Sequence, residues 1–417
     1  MPVWNIVGGN RLEGEIEVQG SKNAVLPVLA ASLLSGGVTR LRGCPELLDV
    51  NASVDILRHL GCGVMQHGGE LVVDSADVTE HHIPHELMER MRSSVMYLGA
   101  ILARCGEVRL SAPGGCELGA RPIDLHLKAL EAMGAEVEQS GGEVVCRAGR
   151  LRGTHVNLDF PSVGATENVM LAACAAEGET VLTNAAREPE IEDLQRYLNA
   201  AGAEVSGAGT PEVHIRGQMP DRPFTEHRVM PDRIAACTWL CAAVCAGGEL
   251  SLRGAVPAHI ETLTEVLREM GCAVRCGADR VVLRSPGLLR AGRPVVTKPY
   301  PGFPTDAQAL LMSACLKARG TSVFVENIFE NRYRHVPELR RLGADIRVEG
   351  RVAMVSGVPA LTGAPVTATD LRGGAALILA ALGAEGETRV FDSGHVQRGY
   401  AGFDRDLRSL GASITLE

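Results

Sequence analysis

The sequence predicts an α/β protein made of six repeats of about 70 residues. Variants of the phrase Leu-x-x-Leu/Met-Gly-Ala-x-Val/Ile recur along the chain, sharing glycines 61, 134, 202, 271, 343 and 411. Successive intervals are 73, 68, 69, 72 and 68 residues, too regular for chance. Each unit also carries an upstream Ala-rich helix that breaks at glycine and enters a β-branched strand, as in 171–182 and 311–324. Aromatic residues make up only 3% of the chain, so Ala, Val, Leu and Ile must build the core.

Taken in order, each shared phrase reads as a helix closed by a glycine C-cap and followed at once by a strand. The upstream helices are nearly apolar all round, which marks them as buried on most faces. Several units packed around their own helices, with sheets outside, satisfy that pattern. Periodicity alone leaves open whether the units form one ring or two groups.

The upstream helices start at Ser21-Lys-Asn23, Met91-Arg-Ser-Ser94, Ser162-Val-Gly-Ala-Thr166, Pro231-Asp-Arg233, Pro304-Thr-Asp306 and Thr369-Asp-Leu-Arg372. Helix starts favour Ser, Thr and Asp because those side chains cap free N–H groups, which accounts for Ser21, Thr305 and Asp370. Capping does not account for Lys22, Arg92, Arg233 and Arg372, since a cation in the first turn opposes the helix dipole. Four such exceptions point to helix starts that serve a site needing positive charge.

At 417 residues the chain has room for two or more domains, and its 46% apolar and 22% charged content is ordinary for a soluble globular protein. Its net charge of -9 and its few aromatics argue against a nucleic-acid partner, which needs a basic face. A small anionic substrate needs only a few local arginines. No run of 18 apolar residues is free of charge, so no membrane span is expected. The twelve cysteines are dispersed and the chain opens Met1-Pro-Val-Trp-Asn-Ile without a basic, apolar leader, so reduced thiols and a cytoplasmic setting are expected. Cys237, Cys241 and Cys245 share one helical face and read as small buried residues rather than a zinc site.

One loop stands apart. Residues 112–126 contain three glycines and two prolines around Cys116, with Arg121, Asp124 and His126 following. Glycine and proline at this density argue for an exposed, hinged loop. A thiol beside a cation there can have a lowered pKa and react. An inert cysteine that happens to lie in a turn is the competing reading, and the residues alone do not choose.

Specific motifs then resolve the question by resemblance. The chain resembles the UDP-N-acetylglucosamine 1-carboxyvinyltransferases, the enolpyruvyl transferases of early peptidoglycan synthesis, over essentially its whole length. The matching segments include Gly20-Ser-Lys-Asn-Ala-Val-Leu-Pro27, the Pro113–His126 loop, Ser162–Thr166, Asn184–Glu190, Phe303–Asp306, Phe329–Arg332, Ala368–Arg372 and Arg398-Gly-Tyr400. The cysteine-containing loop distinguishes this family from its relative that acts on shikimate 3-phosphate. Two positions depart from the family pattern: Ala235-Ala236 follow Ile234 where an acidic residue is expected, and Gln397 precedes Arg398.

The resemblance implies a two-domain inside-out α/β barrel with three repeats per domain and the active site in the cleft between them. Residues 1–20 and 230–417 would form one domain and 21–229 the other. The implied reaction joins phosphoenolpyruvate to the 3′-hydroxyl of UDP-N-acetylglucosamine and releases phosphate through a tetrahedral ketal. Lys22, Arg121 and Arg398 would hold the anionic groups, with Arg372 nearby. Cys116 would give the proton to C3 and form covalent adducts, including with epoxides such as fosfomycin. Asp306 would accept the sugar hydroxyl proton, and Asp370 would assist proton transfer at the methylene carbon. Asn23, Arg92, the run Arg121, Pro122, Ile123, Asp124 and Leu125, then Ser162, Val163, Gly164 and Ile328 would contact the nucleotide sugar, with Arg332 lining the same site. No metal or other cofactor is expected, and the chain is expected to act as a monomer. Enolpyruvyl transfer to another acceptor, or an idle nucleotide-sugar-binding paralogue, are the alternatives. The idle form should lack Cys116, Lys22, Asp306 or Arg398, and all four are present.

Overall fold

The computed structural model describes residues 2–91, 93–111, 123–217 and 222–417. They fall into two compact units, one of residues 2–19 and 231–417, the other lying between 20 and 230. Each unit holds three four-stranded sheets of one shared topology. In a representative sheet, Val295–Val296 runs parallel to Thr321–Val325, which is antiparallel to Val352–Ser356, itself antiparallel to Asp345–Glu349. A parallel neighbour requires a crossover, and the helix Thr305–Cys315 supplies it.

In the first unit that helix packs against Arg233–Ala246 and Leu371–Leu382. Nearly every side chain of the three is buried, which is why their sequences are apolar all round. The inner helices of the second unit are Lys22–Ala31, Tyr97–Cys105 and Val163–Ala173. In each unit sheets and amphipathic helices lie around the inner ones, Glu261–Glu269 in the first unit and Pro189–Ala200 in the second. Helices inside and sheets outside make each unit an inside-out α/β barrel of three repeats. Cys237, Cys241 and Cys245 lie buried on the Arg233–Ala246 helix, as the helical-face spacing indicated. Burial pushes the Cys237 and Cys245 thiols up to about 12, so neither is reactive.

The six shared phrases form six Schellman turns. After the helix Leu48–His59, the Cys62 amide donates to the Leu57 carbonyl at 3.0 Å and the Gly61 amide to Arg58 at 3.1 Å. The equivalent long bonds run from Ala135 to Leu130, Ala203 to Leu198, Cys272 to Leu267, Ala344 to Leu339 and Ala412 to Leu407. Each glycine is left-handed, with φ between 91° and 110°. The glycine therefore follows the cap residue rather than being the cap. Each leucine is fully buried and the Ala or Cys beyond the glycine is buried with it, in keeping with the apolar pair that accompanies such a turn.

The repeats exchange strands at two connections. Leu12–Glu17 precedes the inner helix Lys22–Ala31 in sequence but pairs in parallel with Gly248–Arg253. Phe224–Arg228 precedes Arg233–Ala246 but pairs in parallel with Val38–Arg42. At the first connection Gly20 passes so close to Gly43 that an added Cβ would sit 1.9 Å from its carbonyl oxygen, so no side chain fits. The N-terminal strand Val3–Val7 completes the last sheet between Glu387–Phe391 and Ser413–Leu416.

Two expected helix starts need correction. The helix expected at Met91–Ser94 begins as a 3₁₀ turn at Ser94–Met96 and becomes α-helical at Tyr97. Ser94 is the first residue of that turn rather than a cap ahead of it, and its hydroxyl donates back to the Met91 carbonyl at 2.6 Å. Thr305 is also no cap: it is the first helical residue, and its hydroxyl donates to the Glu326 carboxylate at 3.0 and 3.1 Å.

Candidate active site

In the first unit the expected catalytic residues gather at the N-terminal ends of the inner helices. Asp370 caps Leu371–Leu382, its Oδ1 accepting from the amides of Arg372 at 3.0 Å and Gly373 at 2.9 Å. Asp232 caps Arg233–Ala246 in the same way. Asp306 is the second residue of its helix, and both its oxygens meet arginine. Arg332 Nη2 donates to Oδ1 at 2.9 Å and Arg372 Nη2 to Oδ2 at 3.4 Å. The two guanidinium side chains are 3% exposed and the carboxylate 29%, so the charged partners are buried while the acceptor stays partly open.

The loop 326–335 holds this arrangement from behind. Arg332 also donates to the Thr305 carbonyl through Nε at 3.2 Å and Nη2 at 2.9 Å. The buried Glu326 carboxylate accepts from the Thr305 hydroxyl and from the amides of Ile328 at 2.9 Å and Phe329 at 3.0 Å. Ile328 is half-buried at the turn so formed. His335 lies beneath, its Nδ1–H donating to the Arg332 carbonyl at 3.2 Å. An added Cβ on Gly373 would sit 3.0 Å from the His335 Cβ and 2.6 Å from Asp370 Oδ2, so Gly373 lets the three pack together. Burial pushes the His335 imidazole down to about 4, against the pull of Asp370, and it stays neutral near pH 7. Arg398 closes a 3₁₀ turn, Val396–Arg398, and is half-buried.

The second unit carries the other candidates. Lys22 opens the helix that Ser21 caps, and its Nζ donates to Asp49 Oδ2 at 3.1 Å. Asp49 is fully buried, which offsets the unfavourable position of a cation in a first turn. Asn23 beside it is half-buried. Ser162 caps Val163–Ala173, with Val163 and Gly164 half-buried at the helix start. Ile123 precedes the helix Asp124–Ala132, on which Asp124 is exposed and Leu125 half-buried. The two helix starts are brought together: an added Cβ on Gly164 would lie 3.2 Å from the His126 ring. Asn168 fixes that ring by donating Nδ2–H to its Nδ1 at 2.8 Å. Arg92, Cys116, Arg121 and Pro122 lie outside the described residues.

Sequence reasoning found the acids and the misplaced cations but missed their partners. Asp49, Glu326, His335 and Tyr400 are buried, and no local pattern pairs residues so far apart in sequence. The unexplained first-turn cations were the only signal for them. The Asn184–Glu190 motif places Glu188 and Glu190 near a further buried group, Glu167 of the helix Val163–Ala173, whose carboxyl is pushed well above its usual range by burial and by Glu190 and Glu188. Of the two departures, Ala235 and Ala236 are packed in the core and Gln397 is half-buried beside Arg398. A cavity of about 290 Å³ lies at the opposite, C-terminal ends of the first unit's inner helices, beside Lys317 and Gly383.

A family profile described as EPSP synthase (3-phosphoshikimate 1-carboxyvinyltransferase) matches residues 6–407. A protein of Caldanaerobacter subterraneus subsp. tengcongensis named UDP-N-acetylglucosamine 1-carboxyvinyltransferase 2 is 49% identical over 414 residues, 99% of each chain. A Myxococcus xanthus protein named UDP-N-acetylglucosamine 1-carboxyvinyltransferase is 46% identical and covers 99% of this chain and 98% of its own. Among solved structures, the enolpyruvyl transferase NikO from Streptomyces tendae superposes with a TM-score of 0.89 at 28% identity, covering 100% of this chain and 98% of that one. The EPSP synthase of Acinetobacter baumannii superposes with a TM-score of 0.74 at 20% identity over the full length of both chains, a likeness of fold. No helix among the described residues is long and apolar enough to cross a membrane.

Proposed function

We propose a reaction for this chain on one premise: it belongs to the enolpyruvyl transferase family that includes EPSP synthase, in the branch of the UDP-N-acetylglucosamine 1-carboxyvinyltransferases. It transfers the enolpyruvyl group of phosphoenolpyruvate to the 3′-hydroxyl of UDP-N-acetylglucosamine, the first committed step of peptidoglycan synthesis. The sugar oxygen bonds to C2 while C3 takes a proton, giving a tetrahedral ketal. Loss of phosphate from C2 and of a proton from C3 then restores the double bond.

The observation that carries the assignment is Asp306, held at a helix start by Arg332 and Arg372 yet partly open. Asp306 takes the proton of the attacking hydroxyl, and fixing it by one hydrogen bond from each of two guanidiniums reduces the entropy of finding the acceptor. Lys22, Arg121 and Arg398 hold the anionic groups of phosphoenolpyruvate, with Arg372 nearby. Cys116 delivers the proton to C3 and Asp370 serves proton transfer at the same carbon. Asn23, Arg92, residues 121–125, Ser162–Gly164 and Ile328 contact the nucleotide sugar. The proposed setting is the cytoplasm, with the enzyme acting as a monomer. Every described cysteine is free of a disulfide.

The test is phosphate release from phosphoenolpyruvate with UDP-N-acetylglucosamine, with shikimate 3-phosphate, or with neither. Release should require the nucleotide sugar. Release with shikimate 3-phosphate instead would reassign the acceptor, and binding of the nucleotide sugar without release would make the chain an idle paralogue.

A further inference from the structure

Arg372 is a buried cation in the first turn of an apolar helix, a position opposed by both the dipole and desolvation. Asp306 meets one side of its guanidinium. The other side meets Tyr400: Nη1 donates to the phenolic oxygen at 3.0 Å, and the guanidinium lies 5.3 Å from the ring centre. The tyrosine hydroxyl also lies 2.8 Å from Thr238 Oγ1, and Thr238 Oγ1 donates to the Ile234 carbonyl at 2.8 Å.

These contacts fix every proton. Arginine can only donate, so the Tyr400 oxygen accepts from Arg372. Thr238 spends its one proton on Ile234, so it must accept from Tyr400. The line Arg372 to Tyr400 to Thr238 to Ile234 therefore runs in one direction and ends on helix backbone.

Tyr400 itself is held on all sides. Its ring stacks on Phe403 at 4.8 Å, and Phe403 is flanked by Trp239 at 5.1 Å and Trp4 at 6.3 Å. In a chain with only two tryptophans, both serve this cluster. The Gln19 amide donates to the Gly399 carbonyl at 3.0 Å and accepts from the Ala401 amide at 3.0 Å, pinning the backbone on either side of Tyr400.

We infer that Tyr400, backed by Thr238, is a positioning residue that sets the rotation of the Arg372 guanidinium and through it the seat of the Asp306 carboxylate. It rests on Arg372 and Asp306 acting as proposed above. Removing the phenolic oxygen leaves Arg372 Nη1 buried without its acceptor, and the guanidinium turns away from Asp306 to find another.

The test compares steady-state kinetics of the full-length enzyme and of Tyr400→Phe, Thr238→Val and Thr238→Ser. Tyr400→Phe should lower kcat roughly tenfold to a hundredfold, the range expected for orphaning one charged buried donor. The KM for UDP-N-acetylglucosamine should stay within about twofold, because its proposed contacts at Ser162–Gly164 are on other elements. Thr238→Val should show the same split to a smaller extent, and Thr238→Ser, which keeps a hydroxyl that can both accept and donate, should restore the wild-type kcat. Wild-type kcat in Tyr400→Phe overturns the inference. So does a loss of kcat that Thr238→Ser shares with Thr238→Val, since that marks packing rather than the hydroxyl line. An Asp306→Asn control separates the two levels: full turnover in that variant removes the base assignment, whatever Tyr400 does.

Discussion

Arg332 and Asp306 form a two-part clamp: one guanidinium donates to the Asp306 carboxylate at 2.9 Å and to the carbonyl of the preceding residue, Thr305, at 2.9 and 3.2 Å. It fixes the side chain and the backbone of a helix start together. Glu326 holds the same turn through the Thr305 hydroxyl. The seat of Asp306 is thus built by residues about 20 and 26 positions downstream, on the other side of a strand.

Arg332→Lys keeps the charge but loses the planar fork that reaches both acceptors. Its turnover should fall at least roughly tenfold while the fold survives, since positioning errors at the proposed base are costly. Circular dichroism and steady-state rates check this. A lysine variant within about twofold of wild type would show that charge alone suffices.

His335 makes stability depend on acid. Burial holds its folded pKa at about 4, against an ordinary value near 6.5. Between those values the unfolded chain binds a proton that the folded chain does not, so stability falls as pH drops from about 6.5 to 4. The full effect is on the order of 3 kcal/mol. His335→Asn keeps a donor for the Arg332 carbonyl and removes the titrating ring. Urea unfolding at several pH values should give the variant a flatter acid slope, and equal slopes would contradict the assignment.

Glu167 has the opposite sign. Its folded pKa is raised by burial and by Glu190 and Glu188, so its stabilising contribution is complete below the unfolded carboxyl pKa of about 4.3. That contribution is lost as pH rises through the folded value. Glu167→Gln removes the ionisation, so its melting temperature should gain on wild type as pH rises. A gap that stays constant from about pH 5 to pH 8 would mean Glu167 does not titrate differently on folding.

If Cys116 acts as the acid for C3, another acid of similar reach can replace it. Cys116→Asp should keep measurable turnover with its optimum moved to lower pH, because a carboxyl loses its proton sooner than a thiol. Cys116→Ser should be nearly inactive, and both should resist fosfomycin. Rates across pH and mass spectrometry of the adduct read the outcome. A fully active serine variant, or an adduct on another cysteine, would displace Cys116.

Much of the fold was legible because it is written locally. The leucine, glycine and alanine of each shared phrase are the C3, C′ and C″ positions of one Schellman turn, so six copies announce six helix ends. The apolar inner helices announced their own burial. The strand exchange at Leu12–Glu17 and Phe224–Arg228 was not legible from periodicity, since a strand's partner is set by distant sequence. The same limit applies at the site. Asp306, Arg372 and Lys22 stood out by type and place, whereas Asp49, Glu326, His335 and Tyr400 look like ordinary buried residues until the chain folds them against those three. Thr305 shows the converse error: its identity suits a cap, but Glu326 takes its hydroxyl.

The most direct measurement is a single-turnover assay of phosphate release by Asp306→Asn with both substrates saturating. The amide keeps the shape of the side chain but cannot take a proton, and base catalysis typically contributes about 10²–10⁴-fold. Release at least a hundredfold slower than wild type, with both substrates still bound, is the predicted result. Release within a few-fold of wild type would contradict it and leave the clamp of Arg332 and Arg372 without a base to hold.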